Sequence, residues 1–111
     1  MRVLDLMSNE RPTLRIILPP DKATIDVFTP TKALRDLFPF LGESLQKVGN
    51  STATDDDLDR LYDITAQILS RNMQCITFTQ TDLENRLDTR EVTQILNAYL
   101  NFLRETVNSK N

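Results

Sequence analysis

Side chains that commonly carry out catalysis are scarce in this chain. None of its 111 residues is His, one is Cys and two are Gly. No Cys or Lys stands in an activating context, so nucleophilic and general acid–base schemes have no evident player. Asp and Glu number 16, but their spacing nominates no catalytic pair. The densest acidic cluster is Asp55, Asp56, Asp57 and Asp59. A calcium loop needs oxygen ligands at alternating positions, a central Gly and a closing Glu. Here the acids are nearly consecutive at the start of a helical pattern, where they complement the positive helix end. They are expected to be solvated, without a metal. No glycine-rich phosphate loop occurs, and no cofactor is expected. Cys75 lies in the apolar run Met73–Phe78 with no His or Lys beside it. It is expected to be a buried, unreactive thiol in a reducing compartment. These observations point to a non-enzymatic protein that works through a surface.

The chain is long enough for one domain that buries roughly two thirds of its unfolded surface. Its net charge is -3, which repels phosphate backbones unless basic residues gather on one face. No window approaches the roughly eighteen apolar residues that would cross a bilayer. Met1–Met7 is broken by Asp5 and lacks the continuous apolar stretch of a signal peptide. Neither nucleic acid nor membrane is expected as a partner, and a cytoplasmic location follows.

The elements that would present such a surface are legible in order. Thr13–Leu18 reads as a strand, Pro19-Pro20-Asp21-Lys22 as a turn, and Ala23–Phe28 as a second strand. Ala23, Ile25 and Val27 fall on one face and Thr24 and Asp26 on the other. A lone hairpin is marginal in water and must lay its apolar face on helices. Thr31 can cap a helix running through Leu34 and Leu37 to Phe38. Pro39 interrupts this pattern, and a second piece is expected from about Phe40 to Val48. Thr54 and Asp57 form a capping box for a long helix closed by Ser70-Arg71-Asn72, where Asn tolerates a left-handed turn. Thr81 and Glu84 suggest a second box, for a short helix ending near Leu87. Asp88 and Glu91 suggest a third, for a long helix with Val92, Ile95, Leu96, Tyr99, Leu103 and Val107 on one face. The expected fold is therefore α+β and helix-dominated, a β-hairpin packed on about four to five α-helices. It forms one domain over 1–111: a lead at 1–10, the hairpin at 11–28, helices at 31–107 and a polar tail at 108–111.

Five residues are candidates for partner contact: Phe38, Phe40, Tyr99, Phe102 and Leu103. Phe38 and Phe40 flank Pro39, and either staple the bent helix into the core or offer an exposed apolar contact. Phe102 lies off the centre of the last helix's apolar stripe. The pair of helices at 81–107 also has the rhythm of a helix-turn-helix. Its turn lacks the frequent Gly, and Arg90, Gln94 and Asn97 are set against Asp88 and Glu91.

Taken in order, several segments resemble the tail assembly chaperones of long-tailed phages and prophages of Gram-positive bacteria. They are Leu4-Asp5-Leu6-Met7-Ser8 leading into Arg11-Pro12-Thr13-Leu14, a hairpin ending at Thr29-Pro30, Ile68-Leu69-Ser70-Arg71-Asn72, and Ile95-Leu96-Asn97-Ala98-Tyr99-Leu100-Asn101-Phe102-Leu103. The likeness spans nearly the whole chain and rests on order and spacing, not on a signature motif. It implies a cytoplasmic assembly factor of the bacterial host cell that keeps the tape-measure protein soluble. Such a factor helps tail-tube protein polymerise, tends to self-associate and is absent from the finished virion. It also implies helix-in-groove docking and no catalytic residue. Ser109-Lys110-Asn111 is consistent with the short product of a frameshifted gene. A helix-turn-helix regulator and a structural head–tail or tail component are the alternatives.

Overall fold

The computed structural model describes residues 11–108, and both the N-terminal lead and the Ser109–Asn111 tail lie outside the described residues. Two strands, β1 (Thr13–Leu18) and β2 (Ala23–Phe28), are followed by five helical segments. These are α1 (Lys32–Arg35), α2 (Phe38–Gly49), α3 (Asp55–Leu69), α4 (Gln80–Arg86) and α5 (Thr89–Asn108). The fold is α+β and helix-dominated, as the periodicities require. Asn108, expected in the tail, still belongs to α5.

β1 and β2 pair antiparallel without a bulge, from Thr13 opposite Phe28 to Leu18 opposite Ala23. This register places Leu14, Ile16 and Leu18 on the same face as Ala23, Ile25 and Val27. Leu18, Ile25 and Val27 are buried in one cluster with Leu34, Leu41, Leu61, Ile68, Leu83 and Leu96. The helices thus cover the apolar side of a hairpin that could not persist alone. Arg86 holds the turn against α4, its Nε donating to Pro19 O at 3.2 Å and its Nη2 to Asp21 at 2.8 Å.

The break around Pro39 falls earlier than expected. α1 closes after one turn, and Phe38 is the first residue of α2 instead of the last of its predecessor. Pro39 therefore occupies the first turn of α2, where its missing N–H needs no partner. The interior penalty of about 3 kcal/mol does not arise.

Helix starts follow capping chemistry. Thr54 and Asp57 form a reciprocal box at α3, and Asp88 and Glu91 exchange bonds of 2.8 and 2.9 Å at α5. α4 begins at Thr79 with Asp82, not at Thr81 with Glu84. Starting there puts buried Phe78 before the cap and buried Leu83 at the fourth helical position, the arrangement of a hydrophobic staple.

The Arg71–Thr79 link is where the structure departs most from expectation. Asn72 does not take a left-handed turn; it lies under the link, almost fully buried. Its amide donates to Leu69 O at 2.7 Å and Ile76 O at 2.8 Å, and its Oδ1 accepts from the Ile76 N–H at 3.0 Å. The chain curls around this side chain, Cys75 adopts φ 58°, and its thiol is exposed. The expected burial of Cys75 is thus overturned, because within Met73–Phe78 only Phe78 enters the core.

The same link extends the sheet. Val27 bridges to Asn72, Phe28 N donates to Arg71 O at 2.8 Å, and Met73 N donates to Asp26 O at 2.9 Å. Gln74 completes the edge, accepting from Asp26 N at 2.8 Å and donating to the Asp26 carboxylate at 2.9 Å. Residues 71–74 therefore occupy the side of β2 that β1 leaves open.

Candidate docking surface

The five aromatic and apolar candidates divide between two regions. Phe38 meets Tyr99 edge-on with ring centroids 6.4 Å apart, and Tyr99 meets Phe102 at 6.1 Å. These three rings join the start of α2 to the middle of α5. Leu103, one turn beyond Tyr99, is half-buried against the same core. Tyr99 is wholly enclosed, 0% exposed, and donates its hydroxyl to Phe28 O at 3.0 Å. Its burial raises the phenol's pKa well above the tyrosine range, against the smaller opposing effect of Arg71 and Arg35. Tyr99 consequently acts as a tie between β2 and α5 and offers no surface. Phe38, Phe102 and Leu103 show a rim only.

Phe40 stands apart. It is 49% exposed in the first turn of α2, with the Arg60 guanidinium 5.4 Å from its ring centroid. Leu37, Phe40, Arg60, Asp63 and Ile64 line a cleft of about 260 Å³ between α2 and α3. Its aromatic and aliphatic groups, with one cation and one carboxylate among them, suit an apolar side chain inserted from a partner helix. Leu37 and Phe40 are three apart on one segment, and Arg60 and Ile64 four apart on another. Each pair is legible as a shared face, but nothing in the spacing sets the two faces together.

A larger cleft of about 650 Å³ runs along α3, lined among others by Thr31, Asp63, Ser70, Arg71 and Phe78. Its polar groups are bound to the protein's own atoms. Ser70 Oγ donates to Ala66 O at 2.7 Å and accepts the Phe78 N–H at 2.9 Å. Asp63 accepts from Gln67 at 3.3 Å, and Arg71 Nε donates to Thr29 O at 3.1 Å. Ser70 therefore has no general base at its hydroxyl. Among the described residues, no three metal-capable side chains converge, and no helix is long and apolar enough to cross a membrane.

The outer face of the sheet carries apolar groups that sequence reasoning did not select. Ile17 is 61% exposed on β1, and Met73 and Ile76 project from the link. Alternation along β1 identifies Ile17 as outward-facing once the register is known. Arg15 and Asp26 pair beside it at 3.0 Å. Bonds from Arg15 and then Gln74 hold the Asp26 carboxyl below its usual range.

No protein-family model, curated protein or solved structure matches the chain.

Proposed function

We propose that this protein is a non-enzymatic tail assembly chaperone of a long-tailed phage or prophage. In this reading it acts in the bacterial cytoplasm, binding the tape-measure protein and assisting tail-tube assembly. Support comes from the order and spacing of the segments that resemble that family. The observation that carries the contact mode is the Phe40 cleft, whose Leu37 and Ile64 accompany an exposed aromatic ring. A long helical client with an apolar stripe would place one large side chain there and its flanking charges on Arg60 and Asp63.

The test is co-expression with the product of the longest open reading frame in the same gene cluster. The intact protein is expected to recover that product in soluble form. Phe40→Ala is expected to weaken capture about tenfold or more, as for a central aromatic anchor. It should lower stability by less than about 1 kcal/mol, since it removes an exposed ring and one cation–π contact. Failure of the intact protein to recover the product would refute the reading.

The helix-turn-helix alternative has less support. Arg86, at the end of α4, is committed to Pro19 and Asp21. Tight DNA binding that falls steeply with salt would favour it.

A further inference from the structure

The two sides of the hairpin are treated differently. On β2, Asp26 and Phe28 direct their backbone groups away from β1 to residues 71–74. By alternation, Ala23, Ile25 and Val27 exchange bonds with Leu18, Ile16 and Leu14 across the ladder. Thr13, Arg15 and Ile17 therefore turn their N–H and C=O groups to the outer edge of β1. Among the described residues, none supplies a hydrogen-bond partner there.

Natural edge strands are protected by Lys, Pro, bulges or a covering segment. β1 has neither Lys nor Pro between Thr13 and Leu18, and its register is unbroken. Its one charge, Arg15, leans across the outer face to pair with Asp26 on β2 at 3.0 Å. Beside the edge lies a cleft of about 300 Å³ against α5, lined mainly by apolar groups such as Leu14, Ile16, Ile95 and Ala98, with Glu91 and Gln94 on its α5 side. An added strand would find both unpaired backbone groups and an apolar surface for every second side chain.

We propose that two copies of this protein associate through antiparallel pairing of their β1 strands, forming a continuous four-stranded sheet about a two-fold axis. β1 is complementary to itself in one register. With the axis at Ile16, Leu14 lies opposite Leu18 of the second copy and Ile16 opposite its own counterpart. These residues form an unbroken apolar row over the two α5 clefts. On the outer face, Arg15 then lies opposite Ile17 of the second copy, its stem covering the most exposed large apolar side chain. Moving the axis to Arg15 would set two guanidinium groups face to face, which opposes that register. The sheet can extend on this side because residues 71–74 close the other. This inference is independent of the client proposed above.

Sedimentation equilibrium of the full chain is expected to show a dimer. Ile17→Lys places a cation opposite Arg15 of the second copy, twice by symmetry. It should weaken association about tenfold or more, with an unchanged circular dichroism spectrum. Thr24→Lys, on the same outer face but away from the edge, should leave the dimer intact. In a Cys75→Ser background, Ile16→Cys should form an intermolecular disulfide under mild oxidation. A chain that stays monomeric into the millimolar range would overturn the proposal, including one that pairs its edge only with a client strand. So would a dimer indifferent to Ile17→Lys or the absence of the Ile16→Cys crosslink.

Discussion

Tyr99 ties α5 to β2 through its hydroxyl. The apolar stripe of the last helix includes it, and aromatic residues on such stripes serve either cores or partners. Its hydroxyl decides between them, because a buried phenol needs an acceptor and finds one in Phe28 O. Tyr99→Phe should cost about 1–2 kcal/mol in urea denaturation, with little change in shape, because Phe28 O loses its partner. The phenol should also resist ionisation. Its folded pKa is raised by burial, so its stability contribution is complete below the ordinary tyrosine value of about 10. That contribution is lost as pH rises from there toward the raised folded value. Alkaline spectrophotometric titration should show Tyr99 ionising above the ordinary tyrosine range, a delay that disappears on unfolding. Asn72, read as a helix terminator, instead organises the whole Arg71–Thr79 link through three bonds of its amide.

Among the elements, α2 is the least conventional. It opens on Phe38-Pro39-Phe40 without a side-chain cap and carries Gly42 in its body. A Cβ at Gly42 would meet nothing within 4 Å, and the residue is helical without positive φ. Gly42→Ala should therefore stabilise the protein by about 0.5–1 kcal/mol, seen as a higher Tm, by reducing the freedom of the unfolded chain. An unchanged or lower Tm would show that the loss of unfolded-chain freedom does not govern stability at this position. The strands and the starts of α3 and α5 were legible from alternation and capping boxes, because both signals are local. α4 was misread by two residues. Thr79 and Thr81 offer competing caps, and the winner is set by burial of Phe78 and Leu83.

At the scale of the molecule, three carboxylates link stability to acid. Asp26 is held low by Arg15 and then Gln74, Asp57 by the Thr54 backbone N–H, and Asp82 by the Thr79 backbone N–H. Their folded pKa values lie below the unfolded value of about 3.9. The stability they contribute is complete above that value and is lost as pH falls toward the lower folded values. Urea midpoints should therefore drop steeply below about pH 4. Asp26→Asn, which cannot ionise, should flatten that dependence. An equally steep fall in the variant would assign the acid response elsewhere. The Arg15–Asp26–Gln74 group spans β1, β2 and the link, so this measurement reports on the joint that closes one side of the sheet.

The amino-acid sequence by itself determined the hairpin, its inward and outward faces, the capped helices and the poverty of catalytic groups. Each of these follows from neighbours a few residues apart. Only the tertiary structure decided that Tyr99 is internal, that Cys75 is external, that Phe40 shares a cleft with Arg60 and Ile64, and that residues 71–74 close one edge of the sheet while none of the described residues pairs with the other. Those outcomes depend on groups distant along the chain competing for the same buried volume and the same hydrogen bonds. A contest of that kind is resolved by packing, to which no local spacing has access.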